Sequence, residues 1–247
     1  MNSGPVIHPG RSGLQHHARG RFFVPLGEAR ALRRNAAAGQ ICGPLPRSAM
    51  PMLPVVIVSD FSSPFCWLAE AALRRLEQDG VVRIGYHACE LFPTPTLLPP
   101  PPEVAAGVEL AREIGIEMRR PSRAVRTRKA HELARTAAGL QHEGALRDAI
   151  FGAYLREDRD IGRIDVLVEV ARETGLDHSE VRVVMDIDTH AAAVQAETTR
   201  ARQSGIDAVP VVFLGSGDAV IRVDGAFPLQ EWRRMVDQAT RSTHAES

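Results

Sequence analysis

The stretch Val55-Val56-Ile57-Val58-Ser59-Asp60-Phe61-Ser62-Ser63-Pro64-Phe65-Cys66-Trp67-Leu68 decides the fold. Its first four residues are all β-branched, which suits a strand buried on both faces. Ser59-Asp60 breaks the run, and Ser63-Pro64 opens a helix. A serine oxygen can accept from the free N–H groups of a first turn, and a proline there gives up no hydrogen bond. Leu68, Ala72, Leu73 and Leu76 then recur on one face, as in a helix packed on a sheet. This predicts a helix over 64–78, stopped by Gly80. Residues 81–89 alternate as a second strand, so the opening reads β-α-β with a right-handed crossover.

Beyond it lies the proline-dense stretch 93–102, an extended polyproline-like connector. From 103 to about 204 every segment carries helical periodicity. Helices are predicted over 104–118 and 123–138, around Leu146, Ile150 and Ala153, and around Ile164, Leu167, Val168 and Ala171 up to Gly175. A short helix over 179–186 and a longer one over 189–204, stopped by Gly205, complete the set. Strand character returns at 211–214, then a Gly215-Ser216-Gly217-Asp218 turn, a strand over 219–223 and a helix over 228–239. The order β-α-β, helices, β-β-α predicts an α/β chain with the thioredoxin topology. Residues 50–102 and 205–247 make the thioredoxin-like domain, and 103–204 are an inserted all-α helical domain.

Residues 1–49 hold no sustained periodicity beyond a short helix near 27–38, and they read as a disordered N-terminal extension. They contain Arg11, Arg19, Arg21, Arg30, Arg33 and Arg34 but lack the uninterrupted apolar run of a secretory signal, so a cytoplasmic location is expected. The apolar run 53–58 is strand-sized and far too short for a membrane span. Lys plus Arg and Asp plus Glu are both 30. With no net charge and only 5% aromatic residues, neither nucleic acid nor a membrane surface is an expected partner. Cys42, Cys66 and Cys89 are too few and too scattered for a disulfide scaffold or a zinc site. His87, His131 and His142 stand at no ligand spacing and read as surface or partly buried histidines, so no metal site is predicted. Gly215-Ser216-Gly217 is a hairpin turn and not a phosphate loop, since no helix follows it.

The segment around Ser63 carries the chemistry. It places a hydroxyl and a thiol at a helix start just past the end of a strand, where ligands favour binding in α/β sheets. The positive end of the helix dipole favours an anion there, and a thiolate so placed has its pKa lowered. The bland alternative is that Ser63 only caps the helix and Cys66 only fills the core.

These residues resemble the DsbA-like thioredoxin-fold oxidoreductases of the FrnE type, in which a strand and an aspartate precede Cys-Pro-Trp-Cys. Ser63 then matches the nucleophilic cysteine, Pro64 and Phe65 the middle pair, and Cys66 the resolving cysteine. They equally resemble kappa-class glutathione transferases and 2-hydroxychromene-2-carboxylate isomerases, where the serine matching Ser63 faces the glutathione sulfur. Val209-Pro210 before strand 211–214 resembles the family's cis-proline, whose preceding residue hydrogen-bonds a peptide or glutathione. Tyr86-His87-Ala88-Cys89-Glu90-Leu91, Ala130-His131-Glu132-Leu133-Ala134 and Ala153-Tyr154-Leu155-Arg156-Glu157 are similar to further family segments.

The resemblance implies catalytic roles for Ser63 and Cys66, and substrate or glutathione binding at Pro64, Phe65, Val209 and Pro210. It implies no tightly bound cofactor, glutathione as a cosubstrate, and a small thiol or a peptide or protein disulfide as partner, with a homodimer as a further expectation. Disulfide exchange needs an attacking thiolate, which a serine cannot supply. Three readings therefore stand: an atypical, glutathione-dependent oxidoreductase, a glutathione-dependent isomerase or transferase using Ser63, and a binding module without catalysis. The basic run Arg119, Arg120, Arg123, Arg126, Arg128 and Lys129 is read as a solvated helix face or a guide for an anionic substrate. Residues 1–49 offer no apolar face to bury, so truncation to Met50 is expected to leave the thermal midpoint unchanged. A midpoint lower by several degrees in differential scanning calorimetry would refute that.

Overall fold

A computed structural model describes residues 52–93, 102–113, 115–140, 142–217 and 220–245. Most of the predicted connector and the predicted helix near 27–38 lie outside them. The chain opens with β1 (Leu53–Ser59), α1 (Pro64–Gln78) and β2 (Val82–Ala88). Six helices follow: α2 (Pro102–Glu113), α3 (Arg128–Thr136), α4 (Glu143–Leu155), α5 (Ile164–Glu173), α6 (His178–Asp186) and α7 (Ala191–Gln203). β3 (Val211–Leu214), β4 (Ile221–Asp224) and α8 (Leu229–Ala245) close the fold.

One sheet joins both ends of the chain in the order β2-β1-β3-β4. β1 pairs in parallel with β2 and antiparallel with β3, and Ile57 lies opposite both Tyr86 and Val212. β3 and β4 form the antiparallel hairpin. β1 is central, which is why its β-branched run is apolar. Leu53, Val55 and Ile57 pack with Ala69, Leu73 and Leu76 of α1 and Trp232, Val236 and Ala239 of α8. Val58 packs on the other side with Cys89, Ala201, Ile206 and Val211.

Helix ends differ from the sequence reading where backbone hydrogen bonds intervene. α2 stops at Glu113 because Gly115 takes a positive φ of 79° and Ile116 N–H turns back to Ala111 O. α3 starts only at Arg128, whose N–H donates to the Glu90 carboxylate. That carboxylate serves as the cap that the sequence reading did not supply.

The helices between β2 and β3 close over the second face of α1. Phe61, Cys66 and Trp67 join Leu133, Leu146, Ile150, Phe151 and Leu167 in one core. The Trp67 and Phe151 rings stack, centroids 5.9 Å apart and 3° from parallel, and Trp67 Nε1 donates to Asp148 Oδ1 at 2.7 Å. Buried between α1 and α4 is the ion pair of Glu70 and Arg147. Arg147 Nε donates to Glu70 Oε2 and its Nη2 to Oε1, both at 2.7 Å. Nη2 also reaches Ser59 Oγ at 3.0 Å, and that hydroxyl donates to Glu70 Oε1. No described helix is long and apolar enough to cross a membrane.

Burial alone would raise the pKa of Glu70, but the charge and hydrogen bonds of Arg147 outweigh it and hold the group below its ordinary 4.5. A carboxyl depressed in the folded state contributes stability that is complete above its unfolded value and drains away as pH falls through the folded one. Arg147→Met is therefore expected to cost about 3–5 kcal/mol at neutral pH, because it strands a buried charge. The double replacement Glu70→Leu with Arg147→Met is expected to cost less than the single one. Urea unfolding from neutral pH to below 4.5 is expected to show the single-variant penalty shrinking with acid. A penalty independent of pH would contradict this account.

Candidate functional site

The site is built on the turn between β1 and α1. Ser63 N–H donates to Asp60 O at 3.1 Å, closing the turn. Ser63 is the N-cap of α1: its Oγ accepts from Cys66 N–H at 3.4 Å, and Pro64 takes the first helical position. Ser63 is only 7% exposed. Pro64 is buried under α2, where Gly107 leaves no room for a side chain: a Cβ there would lie 2.7 Å from Pro64 Cβ. Phe65 is half-buried at the rim.

Cys66 departs from the expectation of a lowered pKa. It is fully buried, and its Sγ accepts from Asp60 N–H at 3.4 Å. Burial pushes its pKa well up, and the hydrogen bonds from Asp60 N–H and Ser63 only partly offset this. A sulfur three residues into the helix lies under the first turn, surrounded by the core, so desolvation outweighs the dipole. Cys89 is also free and buried, on the far side of β1, and burial raises its pKa too.

His131 is likewise not at the surface. It is 4% exposed, its ring centroid lies 4.8 Å from that of Phe61, and its Nε2 stands 3.4 Å from Asp60 Oδ1. Asp60 is fully buried and accepts from Ser62 N–H, Ser62 Oγ and Leu91 N–H, the last at 2.6 Å. Along the chain Asp60 carries no signal of this role, because its partners Leu91 and His131 lie far away in sequence. A signal for His131 was available, since it adjoins Ala130 and Ala134 on the apolar side of a helix. The basic run is not a free patch either. Arg126 pairs with Glu90, and Arg128 and Lys129 pair with Glu132 and Asp188.

Phe65, Val209 and Pro210 come together in one open cleft of about 620 Å³. The Val209–Pro210 peptide is cis, and Pro210 O accepts from Gly225 N–H at 3.0 Å, tying the loop to the end of β4. Arg222, Asp224 and Phe227 form another part of its wall. Arg222 Nε donates to Asp224 Oδ1 at 2.8 Å. The sequence reading missed this wall. Its signal was the hairpin register, which sets Asp224 opposite Val211, the residue after the cis-proline. Ser63, Pro64 and Cys66 do not line the cleft; they stand behind Phe65 at the start of α1.

A family model described as a DSBA-like thioredoxin domain matches residues 54–236. The chain belongs to this family. It is similar to the uncharacterized protein YwbO of Bacillus subtilis, 26% identical over 178 residues covering 68% of this chain and 88% of YwbO. Among solved structures it is similar to a probable DsbA oxidoreductase from Streptomyces coelicolor. That likeness has a TM-score of 0.63 at 26% identity, over 76% of this chain and 89% of the other. In fold it is similar to the cytosolic disulfide reductase DsbM of Pseudomonas aeruginosa, solved with GSH. There the TM-score is 0.59 at 15% identity, over 78% of this chain and 98% of DsbM. In this chain the turn into α1 carries Ser63, with the buried thiol of Cys66 behind it.

A neutral, enclosed thiol reacts slowly, because the thiolate is the nucleophile and it must be reached. Native-state alkylation followed by peptide mass spectrometry is expected to leave Cys66 and Cys89 unmodified under conditions that label both in urea. Rapid labelling of Cys66 in the folded protein would contradict its burial.

Proposed function

We propose that the protein is a DSBA-like thioredoxin-fold enzyme that works on a small bound thiol, glutathione, and carries out no disulfide exchange with a dithiol of its own. One observation carries this reading: Ser63, which the resemblance matches to the nucleophilic cysteine, has only a hydroxyl, while the thiol of Cys66 is sealed in the core. A disulfide between positions 63 and 66 cannot form, and Cys66 has neither the access nor the charge to attack a substrate. The open cleft beside Phe65 and cis Val209–Pro210 supports a place for the ligand.

In this reading the peptide backbone of glutathione lies along Val209, and its sulfur reaches past Phe65 to Ser63, which stands behind the cleft lining at the start of α1. Ser63 Oγ accepts from Cys66 N–H, and in this reading its O–H turns from the Cys66 sulfur to donate to the incoming one. The positive end of α1 adds about 0.3–1 kcal/mol in favour of the thiolate, more in a dry site. The sulfur then serves as the nucleophile of an isomerase or transferase reaction, while Ser63 stays unmodified. DsbM, the related fold solved with GSH, supports glutathione as the thiol to test first.

Calorimetric titration of reduced glutathione and of S-methylglutathione into the full chain tests the reading. Reduced glutathione is expected to bind, and S-methylglutathione to bind less well because no thiolate forms. Ser63→Ala is expected to weaken the first and spare the second, with about 1 kcal/mol lost from stability through the cap. In an insulin reduction assay the wild type is expected to be inactive and Ser63→Cys to gain activity. Absent binding, or binding indifferent to Ser63, would leave Ser63 as a helix cap alone.

A further inference from the structure

The entry turn of the site holds a buried carboxylate that the proposed chemistry does not use. Asp60 is fully buried. Its Oδ1 accepts from Ser62 N–H at 3.3 Å, and its Oδ2 accepts from Ser62 Oγ at 3.1 Å and Leu91 N–H at 2.6 Å. Its main-chain N–H and C=O hold Cys66 Sγ and Ser63 N–H. One residue thus ties together all three parts of the turn: the end of β1, the Ser62-Ser63 link and the start of α1. Such a charge is costly to bury without a counter-group. The group that faces it comes from elsewhere in the chain: His131 of α3, itself 4% exposed, with Nε2 at 3.4 Å from Oδ1.

We propose that His131 is the positioning residue of the site, its imidazole anchoring the Asp60 carboxylate so that the anchored carboxylate sets the turn presenting Ser63. That this governs thiol binding rests on the reading of Ser63 given above. The turn itself does not rest on that reading. The ionisable groups facing Asp60 are His131 on α3, Cys66 on α1, Tyr154 on α4 and Cys89 after β2. Burial raises the pKa of both thiols and of the phenol and keeps them neutral, which leaves the imidazole as the counter-group. Burial pushes Asp60 up as well, but the facing His131, the Thr127 side chain and the Leu91 N–H outweigh it and hold the carboxyl below its ordinary 3.8. The ring of Phe61 lies against His131 on one side and under the Arg147 guanidinium, 4.8 Å from its centroid, so the imidazole has a fixed seat.

The test uses the full chain with His131→Leu, His131→Gln and Asp60→Asn. Carbon-13 NMR follows the Asp60 carboxyl against pH, amide spectra follow Ser62, Ser63 and Leu91, and calorimetry follows reduced glutathione. In wild type Asp60 is expected to stay ionised to below 3.8. In His131→Leu it is expected to titrate above 3.8, with Ser62 and Leu91 amides displaced and glutathione affinity reduced roughly tenfold. His131→Gln, which keeps a side-chain N–H donor without the ring's charge, is expected to recover part of all three, a rescue that loss of packing would not show. Asp60→Asn keeps the shape and removes the charge, so it is expected to move the His131 ring resonances and to weaken glutathione binding. An Asp60 titration unchanged by His131→Leu, or His131 resonances unmoved by Asp60→Asn, would overturn the proposal. If His131→Leu does not fold, the Gln and Asn variants decide by the same signals. A wild type that fails to bind glutathione refutes the reading of Ser63, while the carboxyl titration and the amide spectra still judge the anchor.

Discussion

Helix α1 is buried on two sides, and every ionisable group that it or its entry turn points inward must find a partner inside the protein. Ala69, Leu73 and Leu76 face the sheet and α8, while Cys66 and Trp67 face the helices placed between β2 and β3. Glu70 lies on this seam with no access to water. A carboxylate so placed loses its hydration, and only a second charge with good hydrogen-bond geometry can offset that loss. Arg147 supplies two 2.7 Å bonds, and its guanidinium also lies 4.1 Å from the centroid of the Tyr86 ring. The pair joins a helix of the thioredoxin-like part to a helix of the insertion, so the two parts share a core at this point.

The same constraint shapes the chemistry. A cysteine at the third position of α1 points beneath the first turn, and the insertion covers it there. In a dithiol enzyme a buried second sulfur still serves, because the first sulfur stands at the helix start to receive it. Here that position is a hydroxyl, which caps the helix and leaves Cys66 as a core side chain. In the function proposed above, the charge-bearing sulfur is that of a ligand, and the protein contributes the cleft and the helix end.

Local ion pairing also changes what the neutral overall charge means. The positively charged run near α3 looks like a patch along the chain, yet much of it is spent on Glu90, Glu132 and Asp188. These pairs close the N-terminal end of α3 and tie it to the residues after α6. They hold the insertion in place and leave the cleft wall to Arg222, Asp224 and Phe227.

Strand and helix were legible along the chain because each depends on local periodicity and local caps. The run 55–58, the Ser63-Pro64 start and the strand 211–214 each carry their signal within a few neighbours, and the structure has α1 at Pro64–Gln78 and β3 at Val211–Leu214. Val209-Pro210 was legible for a different reason: a family resemblance pointed to a cis bond, which the structure has. The start of α3 was not legible, because its cap is Glu90, 38 residues away in sequence. Nor were the burial of Cys66 and the pairing of Asp60 with His131. A thiol's pKa and a histidine's surroundings are set by desolvation and by charges that meet only when distant segments pack. By itself the sequence determined the order of elements, the motif and the proline. The tertiary structure alone decided which of those side chains lie open and which are sealed, because burial belongs to the packed chain and not to any stretch of it.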